Sequence, residues 1–312
     1  MKTNHLFTIL SCTFILSLQG CALSSHPVVQ AALGKPSSSE AMEKLIDQPG
    51  PIQLETINSA DWSVPLAGLL NLKRPAAVQA GLKDRDEAIQ IYAHVLHHPQ
   101  RGNFLIDTGV SQKLLDNPSK AGLNWLIQKV MHIDKIQIHK STAEILQGMG
   151  GKLSGVFFTH LHIDHISGMP DIPKDVPLYI GASESTSTSF KHMFVRGASD
   201  QLLRNKQPLQ EWHFQPDPQH KFAGIIDVFA DGSVFALSVP GHTPGSVAFL
   251  IRTTHGPVLL TGDTCHTRWG WEHTVEPGDF TEDNDRNLES LKNLKELVAR
   301  HPQIEVRLGH QH

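Results

Sequence analysis

Within Thr159-His160-Leu161-His162-Ile163-Asp164-His165, three imidazoles and a carboxylate fall in six consecutive positions. Side chains on a strand alternate between two faces, and those on a helix spread around its axis, so four such groups converge only where the chain folds into a loop. The apolar run Val156-Phe157-Phe158 comes directly before them, which places the cluster in a loop leaving a buried strand. Imidazole and carboxylate form the donor set of zinc and other borderline first-row cations. With 20 histidines in 312 residues, isolated pairs carry little weight and only ordered spacings count.

The same local pattern recurs downstream. Val234–Val239 reads as a strand and runs into Pro240-Gly241-His242-Thr243-Pro244-Gly245; Val258–Thr261 runs into Gly262-Asp263; Ile304–Leu308 runs into Gly309-His310. Taken singly, these are a turn histidine, a loop carboxylate and a near-terminal residue. Together they deliver one metal-binding group apiece from strand ends, where sheet proteins gather their active-site residues.

The ordered set His-x-His-x-Asp-His, Gly-His-Thr-Pro-Gly, Gly-Asp and a late His resembles the metallo-β-lactamase superfamily, over about residues 80–312. The resemblance implies an α/β fold, a four-layered αβ/βα sandwich, with two divalent cations, most simply Zn2+, between the loop edges of two sheets. Carried over position by position, it implies His160, His162 and His242 on one cation, Asp164, His165 and His310 on the other, and Asp263 bridging them. Leu105-Ile106-Asp107-Thr108-Gly109 matches a further family element, in which Asp107 steers a ligand rather than binding metal itself. The chemistry implied is attack by a metal-bridging hydroxide, with Asp164 and Asp263 as the catalytic carboxylates and Asp164 passing a proton to the leaving group. Best-known zinc β-lactamases use a Cys ligand and lack the late bridging Asp, and flavodiiron enzymes usually carry Glu where this chain has His162, so neither chemistry is expected.

Leu66–Lys73, Tyr92–Gly109 and the segment from Asp263 through Leu288 and Leu291 look like the lactonase branch, which opens acyl-homoserine lactones. That branch often places a Tyr near the metals, and this chain has only Tyr92 and Tyr179. A small-molecule hydrolase opening a lactone or cleaving a carboxylic ester is expected. The alternatives are a glyoxalase-II-like thioesterase, a phosphodiesterase, or a mononuclear iron persulfide dioxygenase. After the bridging Asp, Arg268, Trp269 and Trp271 read as a substrate-pocket wall, or else as residues packed on the helix that begins near Glu282. Cys265 reads as a small packing residue, and the polar insert Glu184–Trp212 as a flexible lid.

The elements that must position these groups are strands over Ile89–Leu96, Asn103–Ile106, Val156–Thr159, Leu178–Ile180, Val234–Val239, Ser246–Ile251 and Val258–Thr261. Tight turns are expected at Asp231-Gly232 and at Thr254-His255-Gly256. A helix is expected over Glu282–Arg300 with Leu288, Leu291, Leu294, Leu297 and Val298 as its apolar stripe and Thr281 as N-cap.

Net charge is −4, and no Lys/Arg-rich stripe or tail occurs, which argues against a nucleic-acid partner. Lys2 followed by the apolar run Leu6–Leu18 and then Leu18-Gln19-Gly20-Cys21 resembles a bacterial lipoprotein signal, with Cys21 the lipidated residue. The division expected is a signal peptide over 1–20, a flexible Ser/Pro/Gly-rich tether over 21–50 and a catalytic domain over 51–312. The protein is then exported, held at the bacterial envelope by a lipid anchor alone.

Overall fold

A computed structural model of the chain describes residues 21–189 and 192–311. The signal expected over 1–20 lies outside them. In chain order the strands are β1 (Cys21–Ala22), β2 (Val28–Gln30), β3 (Lys35–Ser37), β4 (Gln53–Pro65), β5 (Asp86–His98), β6 (Gly102–Ile106), β7 (Gln137–Ile138) and β8 (Gly155–Phe157). They continue as β9 (Leu178–Ile180), β10 (Thr188–Ser189), β11 (Leu209–Glu211), β12 (Ile225–Asp227), β13 (Val234–Ser238), β14 (Val247–Thr253), β15 (Gly256–Leu260) and β16 (Glu305–Arg307). An eight-stranded sheet runs β2-β11-β9-β8-β6-β5-β4-β7, a six-stranded sheet runs β16-β15-β14-β13-β12-β3, and β1 pairs with β10 alone.

The central strands of both large sheets, such as β8, β9, β13 and β14, are buried on both faces, which is why they read as nearly continuous apolar runs. Along β14, Val247, Phe249 and Ile251 turn inward to the layer between the sheets, while Ala248 and Leu250 turn outward to Leu294 and Leu297 of the helix Asn284–Arg300. In the opposing sheet, Phe104, Ile106 and Phe157 fill the same inner layer, and Leu105, Val156 and Phe158 pack beneath the helices of the other side. The ring of Phe157 is the hub of that layer, 5.1 Å from Phe104, 5.7 Å from Trp212 and 6.0 Å from Phe249. The result is the α/β four-layered sandwich, helix-sheet-sheet-helix.

Residues 21–50 are not a free tether. β2 adds in parallel to β11, β3 adds antiparallel to β12, and Met42 and Ile46 of the helix Ser39–Ile46 are fully buried. The segment closes one edge of each sheet, and an edge strand left open exposes unpaired backbone groups. Its spacer-like composition serves local geometry. Ser38 caps the helix by accepting from Ala41 N, Gly34 sits at φ +103°, and Pro36 lies on an edge strand where its missing donor is tolerated.

The tight turn expected at Thr254-His255-Gly256 joins β14 to β15, whereas Asp231-Gly232 lies in a longer connection, residues 228–233, between β12 and β13. The long helix starts at Asn284, with Asp283 rather than Thr281 accepting at its N-cap. β4, the partner of β5 over its whole length, has no counterpart in the sequence reading. It is half-exposed, mostly polar, and broken by a bulge between Asn58 and Ala60, so its alternation is interrupted midway.

Candidate metal centre

Every cluster residue leaves the end of a strand. β8 runs through Phe158 and Thr159 into His160, and His162 precedes a single helical turn, Ile163–Ile166, that carries Asp164 and His165. β13 leads to His242, β15 to Asp263 and β16 to His310. Glycine is required twice along these exits. A Cβ on Gly241, at φ +144°, would lie 2.3 Å from the Asn287 backbone, and one on Gly309 would lie 2.3 Å from Asp263 Oδ1.

Two groups share one carboxylate. His160, His162, His242 and Asp263 form one and Asp164, His165, Asp263 and His310 the other, each with its candidate donor atoms within 4.8 Å of one another. Donors about 2.2 Å from a single zinc are separated by at most about 4.4 Å, so the spread is close to that of a coordination sphere. Around Asp263 Oδ2 stand the Nε2 atoms of His165 and His310 at 3.3 Å, His242 at 3.5 Å and His160 at 3.6 Å. His162 instead presents Nδ1, 2.9 Å from His242 Nε2.

The outer contacts fix which nitrogen faces inward. His165 Nδ1 lies 2.8 Å from the Asp107 carboxylate and His310 Nδ1 lies 2.8 Å from the Gln90 carbonyl, both acceptors only. Each neutral ring therefore carries its hydrogen on Nδ1 and turns a bare Nε2 to the centre. Bare nitrogens around a buried carboxylate have no donor among them, and His160 Nε2 and Asp263 Oδ1 are buried without a hydrogen-bond partner. Cations satisfy this donor set, so the residues present fit two divalent metals.

The electrostatics divide along the same line. Burial, and then the neighbouring His165, hold His160 well below the usual imidazole range; burial, and then His162, do the same for His242, and burial brings His162 down to about 4. These rings are neutral, as ligation requires. Burial also opposes charge on His165 and His310, but the carboxylates outweigh it. Asp263, Asp107 and Asp164 lift His165 well above its usual value, and Asp263 with Asp164 lifts His310 to about 10. Where no cation stands, protons bind in its place.

Asp107 does what its position suggests. One oxygen accepts from Thr159 N at 2.9 Å and the other holds both Thr159 Oγ1 and His165 Nδ1 at 2.8 Å. It lies outside both groups of candidate ligands. Cys265 is a packing residue, its thiol pushed up to about 12 by burial.

Two site residues escaped the sequence reading. His266 is buried with Nδ1 3.2 Å from the Leu69 carbonyl and a bare Nε2 2.9 Å from Asp263 Oδ2, in a geometry that makes no hydrogen bond. Its spacing, three after Asp263 in Gly-Asp-x-x-His, is the only signal it offers. Glu184 belongs to the segment read as a lid, yet it is buried beneath the centre. Its carboxylate accepts from Leu161 N at 2.7 Å, Thr243 Oγ1 at 2.6 Å and Gly245 N at 3.1 Å, so it ties the His160–His162 loop to the His242 loop. Burial pushes its pKa up to about 7. Further along that insert, Ala198 and Leu202 of the helix His192–Leu202, and Leu203 after it, lie in the core.

A cavity of about 330 Å³ opens onto the centre. Its floor is His162, Asp164, His242, Asp263, His266 and His310, and its walls include Leu23, Trp62, Val64, Leu69, Ile89 and Phe280. Arg268, Trp269 and Trp271 do not line it. Trp269 stacks on His273 at 4.2 Å, and Trp271 packs against the long helix with Lys295 Nζ 5.8 Å above its ring. The short helix Arg268–His273 turns these residues away from the cavity. Tyr92 bonds to Gln90, and Tyr179 lies in the layer between the sheets, so neither Tyr reaches the cavity.

Residues 87–310 match the family model described as the Metallo-beta-lactamase superfamily. An N-acyl homoserine lactonase of a Bacillus species is 28% identical over 216 residues, which is 68% of this chain and 77% of the relative. The N-acyl homoserine lactonase AttM of Rhizobium johnstonii is 25% identical over 222 residues, 69% of this chain and 80% of the relative. Among solved structures, an N-acyl homoserine lactone hydrolase with the product N-hexanoyl-L-homoserine at its catalytic metal centre aligns with a TM-score of 0.56 at 21% identity, covering 85% of this chain and 94% of that one. A quorum-quenching N-acyl homoserine lactone lactonase aligns with a TM-score of 0.56 at 20% identity over the same shares.

Proposed function

The chain is a metallo-hydrolase of the metallo-β-lactamase superfamily, and from that premise we propose that it opens the ring of a neutral lactone bearing an apolar acyl tail, N-acyl homoserine lactones being the class that fits. The observation that carries this reading is the cavity. Its walls are mostly aliphatic and aromatic, it has no Lys or Arg among the described residues that line it, and it ends on the candidate metal ligands. Pockets of this kind bury apolar ligands and orient them by a few polar groups. A phosphodiester would find its charge answered only by cations at the floor, and the apolar walls would add nothing to its recognition.

We assign His160, His162 and His242 to one cation, Asp164, His165 and His310 to the other, and Asp263 to both. Two divalent cations bound there would polarise the lactone carbonyl and lower the pKa of an intervening water from about 15.7 toward about 7. The remaining work falls to the chain. Asp107, Gln90 and Leu69 hold the rings of His165, His310 and His266 with Nε2 inward. The aliphatic walls exclude water and take the acyl tail. Asp164, which touches both the cavity and His310, carries the proton to the ring oxygen as the C–O bond breaks, giving a carboxylic acid and an alcohol.

The test is turnover by the metal-loaded chain on lactones of increasing acyl length beside a neutral thioester and a phosphodiester. Lactone opening with kcat/KM rising with tail length is expected, since each buried CH2 contributes about 0.8 kcal/mol. Phosphodiester turnover without lactone turnover would contradict the reading.

A further inference from the structure

The helix Trp125–Val130, whose last residue lines the cavity, carries exposed apolar side chains, and Phe280 of the cavity wall is exposed too. Trp125 is 73% exposed and Val130 70% exposed on the helix Trp125–Val130, Leu126 stands out between them, and Phe280 is 40% exposed. Val130 and Phe280 are also cavity walls. Large apolar surface is seldom left in water without a use.

A second observation says what covers it. The chain enters the fold at the same place. Cys21 and Ala22 pair with Ser189 and Thr188, and Leu23, next in line, is buried as part of the cavity wall. Ser24 and Ser25 fix this entry by donating to the Asp200 carboxylate at 2.6 and 2.7 Å. Two Cα–Cα steps of about 3.8 Å separate Cys21 from Leu23, so whatever precedes Cys21 starts within about 8 Å of the cavity wall. What precedes it in sequence is the apolar run Leu6–Leu18. Lipid meets the fold at that point if the run is retained in a bilayer, or if it is removed and Cys21 is acylated. Exposed charges beside the patch are of both signs, Lys129 and Asp134 by Trp125 and Asp279 by Phe280, so apolar contact rather than charge carries the seating. Among the described residues no helix is long and apolar enough to cross a membrane.

We propose that the mouth of the metal-site cavity is a bilayer-docking surface, with Trp125, Leu126, Val130 and Phe280 seated in lipid held there by the N-terminal segment. Substrates with apolar tails then enter from the membrane. Hydrolysis of a neutral lactone releases a carboxylate, which leaves an apolar cavity for water. The docking rests on residues 1–21 reaching lipid, and the substrate half rests on the lactone reading above.

The experiment uses the full chain with vesicles of mixed phosphatidylcholine and phosphatidylglycerol. The protein is expected to float with the vesicles, and brominated acyl chains are expected to quench part of its tryptophan emission. That part disappears in Trp125→Phe. Trp125→Ser combined with Leu126→Ser slows turnover of a long-acyl lactone held in vesicles several-fold, while turnover of a short-acyl lactone in water is unchanged. Flotation with no Trp125-dependent quenching overturns the proposal, because the mouth then faces water. Failure to float overturns it as well, and so does a dimer that shields Trp125 without lipid, since a second copy then owns the patch. Quenching intact with no lactone turnover keeps the docking surface and removes the lactone reading alone.

Discussion

The Asp107 carboxylate sits 2.8 Å from His165 Nδ1, on a backbone held in the left-handed region at φ +55°. Asp is one of the few residue types that tolerates this conformation, and the turn aims one side chain at both Thr159 and His165. Removing such an outer partner costs about 10–100-fold in metal affinity. Asp107→Ala is therefore expected to lose affinity at the Asp164/His165/His310 group by about that factor, read by chelator competition, with the other group's affinity changed less. Equal losses at both would show that Asp107 supports the loops in general rather than His165.

Glu184 joins two ligand loops through three donors. Glu184→Ala strands those donors, at about 1–3 kcal/mol for each buried group left unsatisfied. Lower thermal stability and weaker metal binding at the His160/His162/His242 group are expected together. Calorimetry and metal titration on the same variant check this, and unchanged metal binding would reduce Glu184 to a packing role.

Acid and metal compete for the same nitrogens. In metal-free protein the pKa of His310, about 10, lies above the ordinary imidazole value of about 6.5, so its contribution to stability is present below pH 6.5 and lost as pH rises towards 10. His165 acts in the same direction. Bound cations require neutral rings, so the stability of metal-loaded protein gains as pH rises through about 6.5 and then levels, while that of apo protein falls towards pH 10. Thermal midpoints of both forms across pH 6–10 are expected to diverge with pH; parallel curves would mean that the cations bind elsewhere.

Val64 and Leu69 form the aliphatic wall of the cavity. Leu69→Trp narrows the tail channel and is expected to raise KM for a long-acyl lactone about tenfold, an effect of about 1.4 kcal/mol, with less change for a short-acyl one. An equal loss on both substrates would place the tail outside the cavity.

The candidate cluster was legible because β8, β13 and β15 are buried and read as apolar runs, the easiest strands to see in a sequence, while β16 before His310 is short and partly polar. His160 through His310 needed only those strand ends to be located. What stayed hidden was set by tertiary contact. β4 is polar and bulged, so its strand period breaks midway, and residues 21–50 look like a spacer until the sheet edges they cover are seen. Glu184 sits in a Ser/Thr-rich run that reads as mobile, and only the fold brings Leu161 and Thr243 to its oxygens. Trp269 and Trp271 follow Asp263 closely in sequence, but neither lines the cavity.

The shared carboxylate of Asp263 is the most direct point of attack. The measurement is ring opening of a long-acyl homoserine lactone, followed by proton release while metal is titrated into the metal-free chain, with Asp263→Ala in parallel. Activity that reaches its maximum at about two divalent cations per chain, and that is lost together with tight metal binding in the variant, is the predicted result. Full activity at about one cation, or two bound cations with no lactone opened, would contradict it.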